Sequence, residues 1–413
     1  MGDIIMSKRS EKPFPTSCDD FIGFFENAWN NGWLDEYSDE HFLIKCINKQ
    51  LTGIEWESQL LFNNSTSINT PIMDDGKIDY NAFTTNFIVN LSAKLMGISS
   101  VFGEKEIENF VVNQLAAGKS SYNRDMFFQA LSEIEILSFY CGRTKWKEAL
   151  YEPPTGVNGS NPEARFVYEN EATNTTATIN VEVKTPKFPL IVEHRVKTAI
   201  PTILLSDVGR KEFQKLCEDN KSKCIMPRVT KLVQFINSAA KKFEKPSENE
   251  FNLLYINWSY SDFPSNGFLE PWSLLTNEKN GILTHPEIGT RLPFDSPISN
   301  EAYEKITAII VYTSSLDQLM FSDFRYSWQG TPDVGPRFRM FVLDKDLREK
   351  ELANESNILF KITGMKPSLV EPQKWRILFD HNWTDKTTLD SRAKDCKFGV
   401  DALKIVNENA LTL

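Results

Sequence analysis

The sequence predicts a mixed α/β fold, a central sheet flanked by helices, preceded by a helical domain. Three observations predict it. Aromatic and aliphatic residues recur at helical spacing through the first 120 residues; the strand-like segments TKWKEALY, ARFVYE and ATINVEVK follow; and two apolar runs, FNLLYINWS and ITAIIVYTS, are of the buried-strand type.

Taken in order, Ser17 and Asp20 have capping-box spacing ahead of Phe21, Phe24, Phe25 and Trp29, a stripe that belongs in a core. DEHFLIKCINKQL, YNAFTTNFIVNLSAKLMG and EKEIENFVVNQLAAG continue as helices, each ending near a glycine or a polar turn. RDMFFQALSEIEILSFYCG is a further helix ending near Gly142. TKWKEALYEPP is a strand stopped by two prolines, and NPEARFVYE and ATINVEVKT are strands joined by the polar NEATNT. A basic loop leads to the helix PRVTKLVQFINSAAKKF, with Pro227 well placed at its start, and then to the apolar strands. Beyond Leu343, DKDLREKELANES is helix-like and WRILFDHNW strand-like, and neither carries recognisable chemistry. The organisation expected is a helical domain over 1–120, an α/β core over 121–345 and a C-terminal extension over 346–413.

A chain of 413 residues, 41% hydrophobic and 12% aromatic, is long enough to bury a large core. No apolar run approaches the roughly 18 residues of a membrane span. The start, MGDIIMSKRSEKPF, lacks the apolar centre of a signal peptide, so a cytoplasmic protein without a membrane partner is expected. Six cysteines without CxxC spacing read as free thiols, and four histidines show no HxxxH or HEXXH pattern. Any metal must then be held mainly by oxygen. AAGKSS at 116–121 ends like a P-loop, but Asn113 stands where the first glycine belongs and a helix precedes it. The net charge of -10 argues mildly against a nucleic-acid partner, yet it is unevenly spread. From Glu182 to Lys245, 14 Lys and Arg stand against 7 Asp and Glu.

That basic segment begins at the one constellation that carries chemistry. On a strand, Ile179, Val181 and Val183 point one way while Asn180, Glu182 and Lys184 point the other. One face builds a core; the other presents a carboxylate beside an ammonium. Phosphodiester hydrolysis needs an activated water, a neutralised phosphate and a stabilised leaving oxygen, and a carboxylate-held divalent metal supplies all three. Magnesium is content with one or two carboxylates, and a lysine nearby can orient or deprotonate the water.

The chain here resembles the PD-(D/E)XK nucleases, the restriction-endonuclease-like superfamily. The helix with SEIE, the strand into YEPP, the turn GVNGSNPE, the strand ending VEVKTP and the later helix stand in that family's order over roughly residues 124–260. The resemblance implies an endonuclease-like core and Mg2+ or Mn2+ as cofactor. Glu163 takes the place of the first acid after proline, Glu rather than the commoner Asp. Glu182 and Lys184 match the second half-motif, and Glu133 the acid on the preceding helix, with Glu135 as its rival. The implied metal ligands are Glu163, Glu182 and Glu133; the implied partner is nucleic acid, DNA first, although the motif does not distinguish RNA. Lys231 and Gln234, three apart on one helix, are candidates for the scissile phosphate or water, and Lys187, Arg195, Lys197 and Arg228 for backbone contacts. Related nucleases include dimers, so a second copy or a separate partner chain stays open. The competing reading is an inactive endonuclease-like scaffold that binds protein or nucleic acid.

Overall fold

The computed structural model describes residues 9–15, 23–48, 50–51, 79–154, 159–170, 175–186, 199–201, 207–220, 223–225, 229–258, 298–312, 338–343 and 358–363, with single positions at 271, 275, 276, 283, 401, 404, 405 and 408. Ser17, Asp20, Phe21, Lys187, Arg195, Lys197, Pro227, Arg228 and the segments DKDLREKELANES and WRILFDHNW lie outside the described residues.

Among the described residues, the chain before the sheet includes the helices α1 (Phe24–Asn30), α2 (Phe42–Ile47), α3 (Tyr80–Phe102) and α4 (Glu104–Asn109). Phe24, Phe25 and Trp29 of the expected stripe are all buried. His41 caps α2: its Nδ1 accepts from the Leu43 N–H at 3.1 Å, and its Nε2 lies 3.1 Å from the Leu115 carbonyl, to which it must donate. Burial holds this ring neutral, with its pKa drawn down to about 3. The helix expected through EKEIENFVVNQL changes to π geometry over Phe110–Leu115, which keeps Phe110, Val111 and Leu115 in the core. AAGKSS is the turn that follows. Ala117, Gly118 and Lys119 all take positive φ, and a Cβ on Gly118 would stand 2.6 Å from the Ser121 carbonyl oxygen.

The long helix α5 (Arg124–Arg143) is capped by the Asn123 side chain and leads into the sheet. β1 (Glu148–Tyr151), β2 (Ala164–Asn170) and β3 (Thr175–Lys184) form an antiparallel meander. The segment expected as a basic loop contains ordered structure instead: β4 (Ala199–Pro201), α6 (Asp207–Asp219) and β5 (Lys223–Ile225), with the two strands paired in parallel. Its helix was hard to see because Phe213 and Cys217, one turn apart, are its buried apolar side chains amid charge. Then come α7 (Val229–Ala240), β6 (Glu250–Asn257), α8 (Asn300–Lys305), β7 (Ala308–Tyr312), β8 (Phe338–Val342) and α9 (Ile358–Thr363). Among the described residues the main sheet has six strands in the order β1-β2-β3-β6-β7-β8. β6 runs parallel to both β3 and β7, and β8 returns antiparallel. The mixed sheet with flanking helices is therefore as expected, while β8, FRMFV, follows the turn signal Gly335-Pro336 and is not among the expected strands.

Side-chain alternation divides the core into two layers. Val181, Leu253, Tyr255 and Ile310 face a cluster that is continuous with α5 and the N-terminal helices, and that Leu359 and Ile362 of α9 join. Leu254, Ile256, Ile309 and Val311 face a second cluster with α7 and α8, including Trp258. Glu182 pairs in register with Leu254, so it points to the α7 side as the alternation requires. Among the described residues, no helix is long and apolar enough to cross a membrane, and Cys46, Cys141 and Cys217 are free thiols.

Candidate active site at the ends of β1, β2 and β3

The meander register brings the two sequence motifs together. Ala164 pairs with Val181, so continuing the antiparallel register by one residue sets Glu163 across from Glu182. Pairing of Tyr151 with Ala164 likewise sets Glu152 across from Glu163, and the Glu152 N–H donates to the Glu163 carbonyl at 3.0 Å. A row of three acids thus crosses three strands at one end of the sheet. Prolines at 153 and 154 end β1 there, and Glu152 itself holds a left-handed φ of 43°.

Glu182 is fully buried, and its Oε1 lies 2.5 Å from Lys184 Nζ and 2.9 Å from Lys242 Nζ. Both are ion-pair contacts without hydrogen-bond angles, and Oε2 receives no donor from the described residues. Lys242 also donates to Glu163 Oε1 at 3.3 Å, so one ammonium spans both carboxylates. Burial raises the Lys242 amine's cost of charging, yet Glu163 and Glu182 reverse this and hold its pKa above the ordinary lysine value.

Glu133 approaches the same end from α5. Its Oε1 accepts from the Tyr151 hydroxyl at 3.1 Å, and Gln114, carried by the π turn, donates to Tyr151 Oη at 2.6 Å and to Glu152 Oε1 at 2.8 Å. The rival, Glu135, goes elsewhere: it is buried two positions along the helix, where its charge acts on Tyr312. Lys231 lays its ammonium 4.7 Å from the centre of the Phe235 ring, and Gln234 is exposed. Among the described residues, no group of three or more His, Cys, Asp or Glu side chains closes into a metal cage.

A polar stripe behind the acids fixes the strands that carry them. Arg165 Nε donates to Asn180 Oδ1 at 2.9 Å, and Asn180 Nδ2 donates to Glu250 Oε1 at 2.9 Å and Asn252 Oδ1 at 2.7 Å. Asn252 in turn donates to the carbonyls of Glu244 and Lys305, both at 2.7 Å, and so pins the segment after α7 from which Lys242 reaches the site. Replacing Asn252 with Leu strips both carbonyls of their donor. We expect a loss of about 2 kcal/mol in stability, read from the denaturant midpoint at unchanged slope.

The charge state of the acids sets a pH dependence. Burial first, then the Glu163 charge, push the Glu182 carboxyl up to about 7, against the pull of Lys184 and Lys242. Burial and Glu163 likewise raise Glu133 well above the carboxylate range, opposed by the Tyr151 hydrogen bond. A carboxyl whose folded pKa exceeds its unfolded value binds its proton more tightly when folded, so its contribution is complete below the unfolded pKa and is lost as pH rises. Glu250 runs the other way: burial pushes it up, but hydrogen bonds from Asn180, Ser247 and Arg165 hold it low, so its contribution fades only as pH falls below the ordinary carboxylate value of 4.5. His41, whose folded pKa lies below its unfolded value, gains stability with rising pH up to 6.5, but one ring is outweighed by two raised carboxyls, so metal-free protein is expected to lose thermal stability between pH 4.5 and about 7. Melts in chelator across that range test this, and a flat or rising midpoint contradicts it.

Sequence reasoning had reached Glu133, Glu163, Glu182 and Lys184, and the structure brings all four to one end of the sheet. It missed Lys242, Glu152, Tyr151 and Gln114. Lys242 lies in the turn after α7, beyond the reach of helical periodicity, and is half-buried whereas its neighbour Lys241 is exposed. No family model matches the chain, and no curated protein or solved structure matches it either.

Proposed function

We propose that this chain is a metal-dependent nuclease that hydrolyses phosphodiester bonds, DNA being the first substrate to test. The observation that carries the reading is the Glu163–Glu182 pair on neighbouring strands, with Lys184 on the same face and a buried Glu182 oxygen that receives no donor from the described residues. A buried carboxylate oxygen without a donor is costly in a finished structure and is the atom a cation satisfies. Two carboxylates are a sufficient protein contribution for Mg2+ or Mn2+, which keep waters of their own. Glu163 and Glu182 would hold the ion, which when bound supplies charge neutralisation on the phosphate and a more acidic water.

The remaining roles belong to the chain. Lys184, fixed beside Glu182, positions the attacking water through Nζ. Glu133 acts through Tyr151, whose hydroxyl it holds, and so braces the end of β1. The order supports the same reading: helix α5, the meander β1–β3, helix α7 and then β6 parallel to β3 is the sequence of elements expected of an endonuclease-like core.

A second reading has its own support. Lys242 and Lys184 together balance the charges of Glu163 and Glu182, as a structural ion network in an inactive binding scaffold would. Incubation of the wild type with single- and double-stranded DNA and RNA, in Mg2+, in Mn2+ and in chelator, separates the two. Cutting that depends on the metal is expected, and intact nucleic acid under every condition favours the scaffold.

A further inference from the structure

We propose that Lys242 is the resident cation of the carboxylate pair, and that a divalent metal enters only by displacing it. This inference rests on the reading that Glu163 and Glu182 hold the metal. Among the described residues Lys184 pairs with Glu182 alone, but Lys242 Nζ touches Oε1 of both acids, at 3.3 Å from Glu163 and 2.9 Å from Glu182. That is the position between two anions where a bridging cation gains most. An ammonium and a dication within the same pair of oxygens repel each other, so the site holds one or the other.

The mounting of Lys242 suits exchange. Lys184 is the last residue of β3 and stands in register with Ile256 of β6, so its backbone is held by the sheet. Lys242 comes from the turn after α7, and its side chain is 23% exposed, so its four-carbon stem can swing out without unpairing a strand. In the metal-free protein the ammonium offsets the repulsion between two facing carboxylates. The consequence is a weakened apparent metal affinity, because every binding event must first break two ion pairs.

Calorimetric titration with Mn2+, without nucleic acid, tests this on the wild type, Lys242→Gln, Lys241→Gln and the double variant Lys242→Gln with Glu182→Gln. Lys242→Gln is expected to bind Mn2+ about tenfold more tightly than wild type, because the two ion pairs of Lys242 no longer have to be broken before the ion enters. Lys241→Gln should match wild type, and the double variant should lose the gain. Melting adds a second readout: Lys242→Gln should melt below wild type in chelator and gain more from Mn2+. If Lys242→Gln binds no more tightly than wild type while the double variant binds no Mn2+, this inference falls and the metal site stands. If no variant binds Mn2+ although all are folded, both fall. Should Lys242→Gln fail to fold in chelator, Lys242→Arg decides. Its guanidinium holds carboxylates more firmly, so Mn2+ affinity must drop below wild type, and an unchanged affinity overturns the inference.

Discussion

Lys184→Ala and Glu182→Gln should each lower metal-dependent cleavage about a hundredfold to ten-thousandfold while leaving the fold intact. The two substitutions act on different steps, and this makes the pair informative. Glu182→Gln removes the charge of a fully buried carboxylate that two ammoniums already face, so the ion would lose one of its two proposed ligands. Lys184→Ala leaves both carboxylates in place and removes the ammonium beside them. Metal affinity should therefore fall in the first variant and hold or rise in the second, although both lose activity. Single-turnover cleavage at saturating Mn2+ measures the chemical step apart from metal binding. Activity retained within a few-fold in both variants contradicts the assignment of these residues.

The largest stability effect is expected at Phe166. Its ring is fully buried, stacked on Tyr140 at 5.1 Å between centroids, and flanked by Trp146 at 4.8 Å and Phe102 at 5.4 Å. It thereby joins β2 to α5 and to the end of α3. Phe166→Ala removes a large apolar side chain from a site whose neighbours are fixed by their own contacts; Tyr140, for one, is tied to Tyr255 by a 2.6 Å hydroxyl hydrogen bond. A loss of about 3–5 kcal/mol is expected. Because the buried cluster runs from the N-terminal helices onto the sheet, near-ultraviolet and far-ultraviolet signals should lose their midpoints together. A loss under 1 kcal/mol, or two separated transitions, would contradict this account of the packing.

How much was legible in the sequence follows from the range of each signal. The meander was readable because strand alternation is local: Ile179, Val181 and Val183 face one cluster and Glu182 the other. The acid pair was readable through resemblance, and the register then explains why Glu163 and Glu182 meet. Lys242 was harder, because it lies 58 residues beyond Lys184 and becomes a neighbour only when β6 pairs in parallel beside β3. Gln114 depends on a π turn that helical periodicity does not announce. The strand β8 is a five-residue edge partner of β7, recognisable by the pairing it makes rather than by its own pattern.

The central claim is that Glu163 and Glu182 form a divalent-metal site. Crystals equilibrated with saturating Mn2+ test it most directly, through an anomalous difference map at a wavelength where manganese scatters. The account predicts one strong peak between the Glu163 and Glu182 carboxylates, with Lys242 moved away. A map with no peak there, in a protein whose β1–β3 meander is unchanged, would contradict it.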